Sequence, residues 1–219
     1  MTLLIASIRR ADVVLTADGR CTRRANGKVT SVDDNYQKLH PVPDHPLAIA
    51  HHGENLLNGK PVKELLAEFF KTLNAGNHTV LEIGDLLQDY ARPAIRTRLK
   101  SLGSGAASGF WVIGFGTQAR EAFGMEAFWK WDDHLNSEER EWKPVTIVAG
   151  GDGKKQIPPV DYKAIEKATV EKVREYHKSL VDTAIKTEME DNPVGGHVHE
   201  LVINREKWEW TIAPHDLSP

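Results

Sequence analysis

A chain of 219 residues and 24.5 kDa, 40% hydrophobic and 27% charged, carries enough apolar material for one substantial core, and a single domain over residues 2–219 is expected. Its net charge of -3, from 28 basic and 31 acidic side chains without a block of like charge, excludes a nucleic-acid field, and no apolar stretch has the length to cross a bilayer. The single cysteine, Cys21, excludes an internal disulfide and suits a reducing cytoplasm, and Arg9-Arg10 follows the apolar opening instead of preceding it as in a secretory leader.

Residues 3–8 are an apolar run, and Ala11–Ala17 is a second, rich in β-branched residues and closed by Asp18-Gly19; two adjacent strands are predicted. After a polar, turn-rich stretch around Asn26-Gly27, Lys38–His40 and Pro46–Ala50 read as another short strand pair. From Pro61 the period changes. Val62, Leu65, Leu66, Phe69, Phe70 and Leu73 recur at helical spacing, with Gly76 as the expected carboxyl-terminal cap. A second helical run contains Leu81, Ile83, Leu86, Leu87, Tyr90, Ile95 and Leu99, with Pro93 an expected kink or break.

Beyond a flexible loop at Gly103–Gly109, strands are predicted at Phe110–Gly114, Ala127–Trp131 and Val145–Ala149. The Trp-rich segment Phe123–Trp142 around the middle strand reads otherwise as a divergent loop. Residues 161–189 form one long charged helical tract with an apolar face, and His197–Ile203 with Trp208–Ile212 form a closing hairpin. Strands, two helices, strands, helices and strands, without β-α-β alternation, argue for an α+β sandwich over a Rossmann sheet.

The order of elements then meets particular residues. Thr2 precedes an apolar strand; Leu15-Thr16-Ala17-Asp18-Gly19-Arg20 follows, then Tyr36-Gln37-Lys38-Leu39-His40, then a small-residue strand ending at Gly53 before a helix. In these signals, and along most of its length, the chain resembles the β-type proteasome subunits and their bacterial relatives such as HslV. The resemblance implies a four-layer αββα sandwich of the N-terminal nucleophile hydrolase type. It also implies peptide-bond hydrolysis by Thr2 after loss of Met1, with the threonine's own α-amine as general base.

By the same resemblance, Lys38 lies against the threonine hydroxyl and Asp18 holds that lysine charged. The Gly53 N–H is an oxyanion donor, and Asp191 orients the amine. Where the family usually has serine before the paired glycines this chain has Val194, and for Gly-Ser-Gly it has Gly151-Asp152-Gly153, which implies either Asp152 as a substitute acceptor or a slower, impaired site. The implied assembly is a homo-oligomeric double ring, hexameric or heptameric, in the cytoplasm. Unfolded polypeptides would be its substrates, an ATP-dependent unfoldase is a further partner, and no cofactor is required.

Taken singly these residues are unremarkable: Asp-Gly after a strand is ordinarily a turn, and Lys38 a surface lysine. His51-His52 and His197-Val198-His199 have strand spacing but no third metal ligand, so packed or solvated histidines are expected. Gly150–Lys155 lacks the glycine spacing of a phosphate loop. Trp129 with Trp131 and Trp208 with Trp210 read as core aromatics, or else as subunit contacts. Two other functions stay open: a small-amide acylase of the same superfamily, and a catalytically silent ring subunit.

Overall fold

The computed structural model describes residues 2–25, 28–187 and 194–214. The chain opens with β1 (Leu4–Ile8) and β2 (Asp12–Ala17), joined by a tight turn in which Arg9 Nε donates to Asp12 Oδ1 at 2.6 Å. A small hairpin, β3 (Cys21–Ala25) and β4 (Lys28–Asp33), leads to β5 (Leu39–Pro41) and β6 (Leu47–Gly53). Two short strands, β7 (Leu56–Leu57) and β8 (Lys60–Pro61), precede α1 (Val62–Thr72) and α2 (Val80–Leu102). Then come β9 (Ala107–Gly114), β10 (Phe123–Asp132), β11 (His134–Trp142) and β12 (Thr146–Gly150). The short α3 (Lys163–Glu166), the longer α4 (Val170–Lys186), β13 (His199–Asn204) and β14 (Trp208–Ile212) complete the order.

Two five-stranded sheets result, in the orders β12-β1-β2-β13-β14 and β11-β10-β9-β6-β5. Period-two alternation in the sequence sorts side chains between three apolar clusters. Leu4, Ala6 and Ile8 of β1, with Val13, Leu15 and Ala17 of β2, meet Ala48, Ala50, Trp111 and Ile113 of the other sheet. The opposite faces of β1 and β2, with Leu3, Ile5 and Val14, pack on Ile165, Val173, Leu180 and Val181 of α3 and α4. Leu47, Ile49, Phe110 and Val112 turn outward onto Leu66, Phe69, Ile83 and Leu87 of α1 and α2. Each buried aliphatic side chain stabilises this arrangement by roughly 1.5–3 kcal/mol, and a one-residue slip of β1 would exchange its two faces.

Five expectations change. The loop predicted at Gly103–Gly109 is shorter, because Ala107, Ser108 and Gly109 already pair with β10 as the start of β9. Pro93 does not break α2, which runs through it from a capping box made by Thr79 and Glu82. Its missing N–H falls on the solvent side, while Ile83, Leu87, Ala91, Ile95 and Leu99 hold the other face to the sheet and outweigh a cost of about 3 kcal/mol. Helix α1 ends at Thr72 with extended Leu73 as its cap, and Gly76 lies in the following 3-10 turn, Ala75–Asn77. Phe123–Trp142 is a hairpin, β10 with β11, paired from Gly124↔Trp142 to Asp132↔His134 and turning at Asp133 with φ 65°. The tract 161–189 is two helices: α3 ends at Glu166 with Lys167 as its cap, and Thr169 caps α4, accepting from Lys172 N at 3.4 Å. Its last residues, 188 and 189, lie outside the described residues. Among the described residues, no helix is long and apolar enough to cross a membrane.

Candidate active site

Thr2 stands two residues ahead of Leu4, the first residue of β1, and is almost wholly buried. Its carbonyl accepts from Gly153 N at 3.0 Å. Gly151, with φ 76°, brings its backbone so close to this carbonyl that a Cβ would collide with it; glycine is required there for both reasons. On the other side Leu3 N donates to Asp18 Oδ1 at 2.7 Å, and Asp18 N returns a bond to Leu3 O at 3.1 Å. The residue after Thr2 is thereby clamped to the end of β2.

The same Asp18 Oδ1 accepts from Lys38 Nζ at 2.7 Å, and Lys38 Nζ also donates to Arg20 O at 2.7 Å. Asp18 Oδ2 lies 3.3 Å from Arg20 N and 3.4 Å from Gly195 N. Both side chains are out of solvent, 3% exposed for Lys38 and 0% for Asp18. Burying such charges is tolerable because the carboxylate has four donors and the ammonium two acceptors. Lys38 O accepts from His51 N at 3.1 Å, which couples the lysine to β6 and so to Gly53 at its end.

Thr2, Lys38 and Gly53 all line one cleft of about 460 Å³, with Asp18 beneath it. Gly53 sits at the exposed end of β6 with φ 85°, and a Cβ there would strike Ala107 O of β9. Sequence reasoning missed several other residues of this cleft. His51 forms part of the wall, its ring edge-on to Tyr36 at 5.6 Å and its Nδ1 3.1 Å from His40 Nε2. Burial, then the neighbouring His40, Lys38 and His52, push the His51 imidazole well below its ordinary range, so it is neutral. Arg98 of α2 reaches Glu54 at 3.0 Å, and Asn55 donates to Cys21. Of these, the sequence had singled out the histidine pair His51-His52, read as packed or solvated, and Tyr36 and His40 as neighbours of Lys38.

Asp152 is not among the cleft residues. It opens a 3-10 turn, Asp152–Gln156, with its carboxylate 57% exposed and 3.8 Å from Lys155 Nζ. The backbone of the flanking glycines, not the aspartate side chain, meets Thr2. Val194 is buried against Gly153 and belongs to the apolar cluster of Leu3 and Ile5. Asp191 lies outside the described residues. Among the described residues no group of three or more His, Cys, Asp or Glu side chains is placed to hold a metal ion.

No protein-family model and no curated protein matches the sequence. The fold is similar to that of the Anbu (Gly-1) mutant from Hyphomicrobium sp. strain MC1, with a TM-score of 0.64 over 96% of this chain and 85% of that one, at 12% identity. The likeness is one of fold, and it gives the chain a proteasome-related architecture.

Proposed function

We propose that the chain is a threonine-type peptidase subunit of the N-terminal nucleophile hydrolase kind, with the Thr2 hydroxyl as nucleophile once Met1 has been removed. One observation carries the reading. A single buried oxygen, Asp18 Oδ1, accepts both the Leu3 N–H and the Lys38 ammonium, so that one carboxylate brings the first strand and a cation together at the floor of the cleft. The two sheets, with α1 and α2 on one outer face and α3 and α4 on the other, agree with the αββα order of such hydrolases.

In this mechanism the freed α-amine of Thr2 takes the hydroxyl proton as Oγ1 attacks the scissile carbonyl carbon. Lys38 stabilises the developing alkoxide by its charge, and the Gly53 N–H stabilises the tetrahedral oxyanion. Collapse breaks the C–N bond, the amine proton passes to the leaving nitrogen, and an ester remains on Thr2. Water, deprotonated by the same amine, cleaves the ester and restores the hydroxyl. An α-amine titrates near ~7.7–8.0, so a substantial fraction is the free base at neutral pH. Asp152 is no longer offered as an acceptor for this amine, while Asp191 keeps that role in the proposal.

The assembly that goes with this reading is a cytoplasmic double ring enclosing the sites, degrading unfolded chains supplied by an ATP-driven unfoldase. Val194 supports a second reading, a silent subunit of the same fold, because it fills with methyl groups the position where a serine hydroxyl would serve the amine. Intact mass before and after incubation with a peptide epoxyketone separates the two. A chain lacking Met1 that gains one inhibitor mass, with Thr2→Ala gaining none, supports the peptidase; a chain that keeps Met1 and never labels supports the silent subunit.

A further inference from the structure

Behind the cleft, on the face of β6, β9 and β10 turned toward the other sheet, one carboxylate interrupts the apolar packing. Glu126 of β10 stands directly opposite Trp111 of β9. Its Oε1 accepts from Trp111 Nε1 at 2.9 Å and lies 3.2 Å from His52 Nε2, while Arg140 is 3.9 Å from Oε2. Burial alone would raise the Glu126 carboxyl, but the bonds from His52 and Trp111, with Arg140 beside them, outweigh it and hold the group below its usual range. Glu126 is therefore an anion at neutral pH, only 8% exposed. An apolar side chain here would avoid the desolvation cost but leave the buried Trp111 N–H without its acceptor, so the carboxylate is the shared partner of the indole and the His52 ring.

Its two partners lead to the two sheets whose ends carry Gly53 and Thr2 of the cleft lining. His52 lies between His51, in the cleft wall, and Gly53 at the rim. The His52 ring stacks on Phe128 at 5.9 Å and covers Gly109, where a Cβ would collide with Nε2. Trp111 spans the gap between the sheets and lies flush on Gly150 of β12, where a Cβ would collide with the indole. Gly150 is paired in register with Leu4 of β1, and the next residue, Gly151, meets the Thr2 carbonyl.

We propose that Glu126 is a positioning residue which sets the separation of Thr2 and Gly53 across the cleft, holding Trp111 against Gly150 and His52 beneath the Gly53 end of β6. It touches no reacting atom, and the inference rests on the threonine-nucleophile reading. The carboxylate acts as one shared acceptor for two N–H groups, and that sharing fixes the angle between the strands at the point where the site is built.

The test uses the Met1-processed full chain, its epoxyketone labelling rate, and kcat and KM on a fluorogenic peptide. Glu126→Met should lower kcat and the labelling rate by ~10–100-fold with little change in KM, as expected when reacting groups move by about an ångström. Glu126→Gln, whose amide oxygen can still accept both bonds, should recover most of the loss. Trp111→Phe, which keeps a ring on Gly150 but has no N–H, should lower kcat in the same direction and decides the matter if Glu126→Met fails to fold. Folded Glu126→Met or Trp111→Phe with wild-type kcat overturns the proposal, as does Glu126→Gln no faster than Glu126→Met. A wild-type chain that neither labels nor turns over sinks the threonine reading and this inference with it; a labelling wild type with indifferent variants sinks this inference alone.

Discussion

Replacing Lys38 by methionine tests whether the buried pair under Thr2 is held together by charge. The substitution keeps most of the side-chain volume and removes the ammonium 2.7 Å from Asp18 Oδ1. Asp18 is then an anion with no solvent access, retaining one short N–H bond from Leu3 and two long ones from Arg20 and Gly195. Breaking a buried pair in this way costs ~3–5 kcal/mol, or roughly 6–20 °C in Tm for a chain of this size. Adding Asp18→Asn removes the orphaned charge, and its amide oxygen still accepts from Leu3 N. The Arg20 carbonyl remains without the lysine, so the double variant should stay ~1–3 kcal/mol below wild type. Urea unfolding followed by tryptophan fluorescence, in a Thr2→Ala background that prevents self-cleavage, measures all three. Lys38→Met within about 1 kcal/mol of wild type, or a double variant no more stable than the single, would refute the reasoning.

Gly53→Ala forces an L side chain into φ 85° and against Ala107 O, so we expect about 1–2 kcal/mol of strain plus a displaced β6 end, and a labelling rate lower by ~10²-fold, read by thermal melts and intact mass. His177 is buried between Ser7 Oγ at 2.7 Å and Thr16 Oγ1 at 2.9 Å, and desolvation pushes it down to about 3 from 6.5. Between those values the unfolded chain takes the proton and the folded chain does not. The contribution is thus complete above pH 6.5 and is lost as pH falls toward 3, at ~1.4 kcal/mol per pH unit. His177→Gln should lessen the slope of denaturation free energy between pH 4 and 6 by ~1.4 kcal/mol per pH unit, the remainder coming from the buried His40 and His51, and a variant with the wild-type slope would count against it. Val194→Ser places a hydroxyl in the cluster over Gly153 and should destabilise the fold by about 1–3 kcal/mol in thermal unfolding, whatever it does to labelling.

Much of the fold was legible in residue type: β1 and β2, buried on both faces, read as apolar runs, while α1 and the inner positions of β9 and β10 carry the spacing their surroundings require. Strand β11 was not legible. Its sequence His-Leu-Asn-Ser-Glu-Glu-Arg-Glu-Trp is mostly solvent-facing, and only backbone pairing with β10 makes it a strand. Pro93 misled because local chemistry describes the missing N–H and not the five buried side chains that override it.

At the site, Thr2, Asp18 and Lys38 stood out through signals carried by their own strands and turns. Gly151-Asp152-Gly153 suggested a functional aspartate, whereas a Gly-x-Gly segment specifies a backbone path and leaves the middle side chain free to face water. His51 and the Arg98–Glu54 pair reach the cleft through pairing of β6 with β9 and docking of α2, contacts between segments far apart in sequence that no local pattern encodes.

The grip on the Thr2 carbonyl comes from Gly151 and Gly153, and Asp18 takes a further N–H from Gly195, 177 positions downstream. On the threonine reading, Thr2 is made long before Gly151, Gly153 and Gly195, the parts of the chain that seat it. Reactivity, on that reading, would be deferred by topology: a fragment that stops short of Gly151 lacks the seat of Thr2, and the site would form only once the long-range contacts of the fold are made.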